Sequence, residues 1–139
     1  MSPARSRVPG PAHSAATILF VEDDPLIADM LRQKLAEKQY TILSAVSERD
    51  IDAALAEQRV DLILLDILLP DLNGLSILKK VKEDPRYKDI PVLIISNLGQ
   101  REDIERGMAA GAADYIIKAQ TYPSEIVKKV EALLKHKNL

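Results

Sequence analysis

Three short, uninterrupted apolar runs constrain the fold of this 139-residue chain more than any other feature of its sequence. They are Ile18–Val21, Leu62–Leu65 and Val92–Ile95. A strand with one wet face alternates apolar and polar residues, so continuous runs are typical of parallel strands covered on both faces. Two weaker strands are predicted at Tyr40–Ala45 and Asp114–Ile117.

Segments with apolar residues at helical spacing follow these strands. Pro25 and Pro123 stand where the first residue of a helix belongs, and Gly111 stands where the fourth helix is expected to end. Strands that alternate with helices predict a parallel sheet with right-handed crossovers. The predicted fold class is therefore α/β, a flavodoxin-like (βα)5 three-layer sandwich with a doubly wound, five-stranded parallel sheet in the order 2-1-3-4-5.

The chain is expected to contain one domain, at residues 17–139, behind a disordered tail at residues 1–16. The tail contains three prolines and one glycine and shows no apolar periodicity. No output domain is expected within the chain. The longest apolar stretch, Ile90–Ile95, is too short to span a bilayer, and the tail lacks the apolar region of a secretory signal. A cytoplasmic location is therefore expected.

Composition narrows the available chemistry to carboxylates, hydroxyls and lysines. The chain contains no cysteine and two histidines, which excludes disulfides and thiolate zinc sites and argues against a histidine-rich metal site. Its formal net charge of −2 provides no basic footprint, so direct binding to nucleic acid is not expected.

Charged and polar residues follow four of the predicted strands. Glu22, Asp23 and Asp24 follow the first strand, Asp66 the third, Ser96 the fourth and Lys118 the fifth. Ligands of doubly wound sheets bind at the carboxyl ends of the strands, where these side chains would meet. Asp23, Asp24 and Asp66 would repel one another without a cation, and oxygen-only ligands favour Mg²⁺, with Mn²⁺ as a second option.

The other side chains at this edge suit a phosphoryl group beside the metal. Lys118 offers a compact positive charge, and the Ser96 hydroxyl can donate a hydrogen bond to a phosphoryl oxygen. A carboxylate can act as the nucleophile of phosphoryl transfer and become an aspartyl phosphate. Asp66 is the expected nucleophile because it follows the central strand.

Sequence motifs at the same positions carry a family resemblance. They are Val21–Pro25, Asp66 with Leu69–Gly74 behind it, Ser96, and Gly111–Lys118. In order and spacing they resemble the receiver domain of two-component response regulators, as found in stand-alone receivers of the chemotaxis type. The resemblance implies that Asp66 is the phosphoacceptor. It also implies that Mg²⁺ is bound by Asp23, Asp24, Asp66 and the backbone carbonyl of Leu68.

The resemblance further implies a conformational switch and its partners. Lys118 matches the lysine that pairs with the phosphate, and Ser96 and Tyr115 match the hydroxyl and the aromatic side chain of the switch. A histidine kinase or phosphotransfer protein would supply the phosphoryl group from a phosphohistidine. A downstream protein would bind the face of helix 4, strand 5 and helix 5. No enzymatic activity is expected beyond self-phosphorylation and autodephosphorylation.

Two residues depart from the receiver pattern. Ala119 follows Lys118 where the family usually has a proline, often in a cis bond, and Asn97 follows Ser96 where a small residue is usual. Because a cis bond without proline costs about 2.5–4 kcal/mol, a trans bond and a shifted loop are expected at Ala119. Asn97 is expected to crowd the mouth of the phosphate site.

Two further hypotheses assign the chain a different class of function from a phosphorylation switch. The first is a constitutive protein-interaction module with the receiver fold that phosphorylation does not control. The second is an enzyme or cofactor carrier of another doubly wound family, such as a phosphatase or a flavodoxin. The phosphatases carry a second aspartate two residues after the nucleophile, where this chain has Leu68, and Glu22, Asp23 and Asp24 would repel a flavin phosphate.

Overall fold

A computed structural model describes residues 16–137, with a parallel five-stranded sheet at its centre. The strands are β1 (Thr17–Val21), β2 (Thr41–Ala45), β3 (Leu62–Leu65), β4 (Val92–Ser96) and β5 (Asp114–Ile117). Their order in the sheet is β2-β1-β3-β4-β5, which confirms the predicted fold class and strand order. Residues 1–15 of the predicted tail lie outside the described residues, and Ala16 is the one residue of the tail that is described.

A helix follows each strand of the sheet. The helices are α1 (Pro25–Ala36), α2 (Glu48–Glu57), α3 (Gly74–Glu83), α4 (Arg101–Ala109) and α5 (Pro123–Lys137). As predicted, the two prolines open α1 and α5. Gly111 follows α4 with a φ of 111°, a left-handed conformation that suits glycine at a helix end. Within residues 16–137, no helix has both the length and the apolar character needed to cross a membrane.

The continuous apolar strands bury both of their faces. In β1, Leu19 and Val21 pack into the core beneath α2 and α3, whereas Ile18 and Phe20 pack into the core beneath α1 and α5. Each fully buried side chain of this size stabilises the fold by about 1.5–3 kcal/mol relative to an exposed one. Two cores on opposite faces therefore hold the strands in register and fix the positions of their carboxyl ends.

The register of the sheet sets the level of the residues that follow the strands. Val21 pairs with Leu65 in the neighbouring strand, and Ser96 pairs with Ile117. The backbone N–H of Asp66 donates to the carbonyl of Val21 at 3.0 Å, so the ladder between β1 and β3 extends one residue beyond β3. The acidic segment after β1 and the aspartate after β3 thus lie side by side.

Two small elements at the same edge were not predicted. Leu68–Leu69 and Leu72–Asn73 form a short antiparallel ribbon after β3, and Lys118–Gln120 form a 3-10 turn after β5. The ribbon leads into Gly74 at the start of α3, where a Cβ atom would clash with the Cα of Ile67. Gly74 is therefore required by a close backbone approach beside Asp66.

Candidate functional site

Asp66 lies at the centre of the carboxyl edge and is 3% exposed. One carboxylate oxygen, Oδ1, accepts the backbone N–H of Leu68 at 2.8 Å. The other, Oδ2, lies 2.7 Å from Nζ of Lys118, whose side chain is 10% exposed. Burial by itself would lower the pKa of Lys118, but its contacts with Asp66 and Glu22 outweigh that effect and raise the pKa. The lysine is therefore held in its charged form against the carboxylate.

Glu22 is the second buried carboxylate of the site. Its Oε2 accepts the backbone N–H of Asp24 at 2.9 Å, and its Oε1 lies 2.7 Å from Nζ of Lys118. Lys118 therefore forms a buried ion pair with Glu22 as well as with Asp66. Burial raises the pKa of Glu22, against the opposing effect of the Lys118 ammonium.

Asp24, which was predicted to bind the metal, has a different contact in the structure. Its Oδ1 accepts the backbone N–H groups of Leu26 and Ile27 at 3.0 and 3.4 Å, which makes it the N-cap of α1. The carboxylates that come together are instead Glu22, Asp23 and Asp66, with one oxygen of each within 4.8 Å of the others. Glu22 is the residue that sequence reasoning missed.

The signal that could have found Glu22 lies in the sequence itself. Pro25 at the first helical position makes Asp24 the N-cap, and an N-cap side chain turns back to the helix N–H groups. That geometry leaves the two preceding acids, Glu22 and Asp23, to face the end of β3.

The charge balance of this cluster fits a divalent cation. Among the described residues, three carboxylates come together at this edge, and one ammonium group, that of Lys118, lies 2.7 Å from Glu22 and from Asp66. Uncompensated carboxylates in a buried site take up protons or a cation. The donor set contains only oxygen, which is the ligand chemistry of Mg²⁺ and Mn²⁺.

Ser96 and Tyr115 are connected through Leu98. Ser96 is fully buried, and its Oγ accepts the backbone N–H of Leu98 at 3.1 Å. The hydroxyl of Tyr115 donates to the carbonyl of the same Leu98 at 2.5 Å. Burial raises the pKa of Tyr115, which keeps its hydroxyl protonated as a donor. Leu98, in the loop after β4, is therefore bonded to both predicted switch residues, through its N–H to Ser96 and through its carbonyl to Tyr115.

The two residues that depart from the receiver pattern also meet. The Lys118–Ala119 bond is trans, as predicted. The backbone N–H of Ala119 donates to Oδ1 of Asn97 at 2.9 Å. The exposed side chain of Asn97 therefore turns toward the 3-10 turn after β5.

Comparison with known proteins identifies the family. The family model of the response regulator receiver domain matches residues 18–131 of this chain. The chain belongs to the response regulator receiver family. Among solved structures, a response regulator from Chloroflexus aurantiacus superimposes on the receiver with a TM-score of 0.80 and 30% identity, over 88% of this chain and 99% of that chain.

A chemotaxis protein, CheY4 of Vibrio cholerae, has the same fold. It superimposes with a TM-score of 0.78 at 26% identity, over 86% of this receiver and 99% of CheY4. Both structures are covered almost entirely, so the strand order and helix positions described above are those of the family fold.

Curated relatives are longer proteins. The DNA-binding dual master transcriptional regulator RpaA of Synechocystis is 36% identical over 118 residues, which are 85% of this chain and 48% of RpaA. The phosphate regulon regulatory protein PhoB of Pseudomonas aeruginosa is 33% identical over 119 residues, which are 86% of this chain and 52% of PhoB. The receiver thus spans about half the length of these relatives.

Proposed function

We propose that this receiver is a phosphorylation-controlled signalling switch whose phosphoacceptor is Asp66. The observation that carries the proposal is the position of the buried Asp66 carboxylate. It lies 2.7 Å from the ammonium of Lys118 and in one cluster with Glu22 and Asp23. This arrangement supplies a nucleophile, a positive charge for phosphoryl oxygens and an oxygen donor set for a metal.

In the proposed reaction, an Asp66 carboxylate oxygen attacks the phosphorus of a phosphohistidine on a histidine kinase or phosphotransfer protein. An O–P bond forms, the N–P bond breaks, and its electron pair leaves with the imidazole of the donor. Lys118 would then pair with the phosphoryl oxygens as their charge develops. The product is an aspartyl phosphate at Asp66, and beyond forming and losing it the receiver would have no enzymatic activity.

The proposed ligands of Mg²⁺ are the three clustered carboxylates and the backbone carbonyl of Leu68. Mn²⁺ suits the same donors. When bound, the ion would neutralise charge on the transferring phosphoryl group. Asp24 is not among the proposed ligands because its carboxylate already satisfies the N–H groups that open α1.

The proposed switch runs from Ser96 to Tyr115. A phosphoryl group on Asp66 would attract the Ser96 hydroxyl, which at present accepts the N–H of Leu98. Loss of that bond would free the loop residue whose carbonyl holds the Tyr115 hydroxyl. Phosphorylation would thereby shift the populations of two arrangements of the loop after β4 and of Tyr115.

The face of α4, β5 and α5 is the proposed binding surface for the downstream protein. Tyr115 lies on β5, and α4 contributes the exposed charged side chains Arg101, Glu102, Glu105 and Arg106. A change at Tyr115 would therefore alter a surface already rich in exposed charge.

A separate surface beside Lys118 suits the phosphodonor. A cleft of about 180 Å³ between α1 and α5 is lined by apolar side chains together with Lys118 and Thr121. Leu26 and Tyr122, which are 69% and 76% exposed, lie on α1 and just before α5. The receiver would meet both the phosphodonor and the downstream protein in the cytoplasm, and it would make no direct contact with nucleic acid or membrane.

The test is the site of phosphorylation. Incubation with acetyl phosphate and Mg²⁺ should add the mass of one phosphoryl group to the receiver and to the control variant Asp71→Ala, which removes an exposed aspartate of the same loop. Asp66→Ala should gain no acid-labile label. An equal label on Asp66→Ala, or none on the wild type, would contradict the proposal.

A further inference from the structure

The hydrogen bond between Asn97 and Ala119 joins the two residues at which this receiver departs from its family pattern. Its length is 2.9 Å, and 22 positions separate its partners in the sequence. The donor exists only because residue 119 is not proline, since proline has no backbone N–H. The acceptor exists only because residue 97 carries a side-chain oxygen, which glycine or alanine at this position would not provide.

The two partners stand next to residues of the phosphorylation site. Asn97 follows the buried Ser96, and Ala119 follows Lys118, whose Nζ lies 2.7 Å from Asp66 Oδ2. Ser96 pairs with Ile117 in the sheet, so the loops after β4 and β5 leave it at the same level. A bond from Asn97 to Ala119 therefore fixes the backbone immediately behind the lysine.

A proline at position 119 would restrict this backbone through its ring, which holds φ near −65°. Ala119 has no such restriction, and the turn at Lys118–Gln120 is only three residues long. We propose that Asn97 is a positioning residue for Lys118. By accepting the N–H of Ala119, it replaces the constraint that proline gives other receivers and keeps the ammonium of Lys118 on Asp66.

This inference rests on the proposed function, in which Lys118 pairs with the transferring phosphoryl group. It adds that the rate of transfer depends on a side chain that touches neither the donor nor Asp66. The effect should be seen in the limiting rate at saturating phosphodonor, because Lys118 acts on the transferring group after the donor has bound.

The first experiment measures phosphorylation by acetyl phosphate with Mg²⁺ in Asn97→Ala. The limiting rate should fall by about fivefold, the effect expected from one net hydrogen bond, with an unchanged half-saturating donor concentration. Ser47→Ala is the matched control, because it also removes one side-chain acceptor, of the Asp50 N–H at 3.1 Å, at a residue that contacts none of the site residues through a hydrogen bond. Its limiting rate should equal that of the wild type.

The second experiment repeats the Asn97→Ala change in an Ala119→Pro background. With the N–H absent, the Asn97 substitution should have no further effect on the limiting rate. If Asn97→Ala lowers the rate equally in both backgrounds, Asn97 acts elsewhere and the proposal is wrong. An Asn97→Ala rate equal to the wild-type rate would overturn it as well.

A third measurement needs no phosphorylation and separates this inference from the proposed function. Hydrogen exchange of the Ala119 amide should be slow in the wild type and in Asn97→Asp, which keeps an acceptor oxygen, and about fivefold faster in Asn97→Ala. Unchanged exchange in Asn97→Ala would overturn the inference even if Asp66 is phosphorylated. Faster exchange in a receiver that takes up no phosphoryl group would reject the proposed function, and with it the effect on the transfer rate, while confirming the contact between Asn97 and Ala119.

Discussion

The two halves of the candidate site are built differently. The acidic half, at the ends of β1 and β3, consists of Glu22, Asp23 and Asp66. The switch half, at the ends of β4 and β5, consists of Ser96, Asn97, Tyr115 and Lys118. Lys118 reaches across to the acidic half, where its ammonium lies 2.7 Å from Glu22 and from Asp66.

The acidic half is held by burial and by backbone hydrogen bonds. Glu22 and Asp66 each accept a backbone N–H from their own loop and are almost fully buried. The loops of the switch half are held by single side-chain hydrogen bonds to the backbone of Leu98 and Ala119. Lys118 is the exception, because two buried ion pairs hold it to the acidic half. Each such hydrogen bond contributes about 0.5–1.5 kcal/mol, whereas moving a buried charge costs several. The loops after β4 and β5 are therefore expected to rearrange at a smaller free-energy cost than the charge centre formed by Glu22, Asp66 and Lys118.

The largest expected effect concerns the metal and the two acids that flank Asp23. Glu22→Gln should weaken Mg²⁺ binding by at least about tenfold, because it removes one of three clustered carboxylates. Asp24→Ala should leave Mg²⁺ affinity nearly unchanged and lower the free energy of unfolding by about 1 kcal/mol, the usual cost of losing an N-cap. Isothermal titration and urea unfolding measure the two quantities. The reverse pattern would indicate that Asp24, and not Glu22, is a ligand of Mg²⁺.

The next prediction compares the stability lost by substituting two glycines, Gly74 beside the acidic half and Gly99 beside the switch half. A Cβ at Gly74 would clash with the backbone of Ile67, next to Asp66, so Gly74→Ala should cost about 1–3 kcal/mol of stability. The atoms nearest to a Cβ at Gly99 belong to the side chain of Ile117, and the closest is its flexible Cδ1 end, at 3.1 Å, which can give way. Gly99→Ala should therefore cost less than about 1 kcal/mol. Equal losses in urea unfolding would show that the two halves are equally rigid.

A third effect concerns the lifetime of the aspartyl phosphate. Leu68 lies two residues after Asp66, is 57% exposed and cannot orient an attacking water. Leu68→Asn would supply a hydrogen-bonding group there and should speed spontaneous dephosphorylation by about fivefold. The control Val46→Asn introduces the same side-chain amide at a position after β2 that is 55% exposed, and it should not change the rate of dephosphorylation. A Leu68→Asn lifetime equal to that of the wild type would contradict this role for the position.

The last effect depends on pH and lies in the switch half. Tyr115→Phe removes the hydroxyl that donates to Leu98 and should cost about 1 kcal/mol at pH 7. Burial raises the pKa of Tyr115 above 10.0, so above that pH the unfolded chain loses its proton before the folded one does. The advantage of the wild type over Tyr115→Phe should therefore be complete below pH 10.0 and shrink as the pH rises through the folded-state pKa. A constant difference from pH 8 to pH 11 in urea unfolding would exclude this contribution.

Much of the fold could be predicted because both faces of each central strand are apolar. Ile18–Val21 and Leu62–Leu65 had to be covered on both sides, and that requirement alone favours a parallel sheet between helices. The short ribbon after β3 was beyond such reasoning. Its strands have two residues each, too few for a period to be recognised.

The site was only partly predictable, for a related reason. Strand ends placed Asp66, Ser96 and Lys118 at one edge, but the choice between neighbouring acids depends on side-chain direction. Asp24 turns back to cap α1, and Glu22 turns to Lys118. The bond from Asn97 to Ala119 depends on a rotamer and on two loops far apart in sequence, so local patterns carry no sign of it.

The central test is whether phosphorylation of Asp66, in the acidic half, changes the conformation of the switch half. Amide chemical shifts of the whole receiver, recorded before and after addition of phosphoramidate and Mg²⁺, measure this. We expect the shifts of residues around Asp66 to change together with those of Ser96, Leu98 and Tyr115, and none of them to change in Asp66→Ala. Changes confined to the residues around Asp66, or no changes at all, would contradict a switch and favour an interaction module with the receiver fold that phosphorylation does not control.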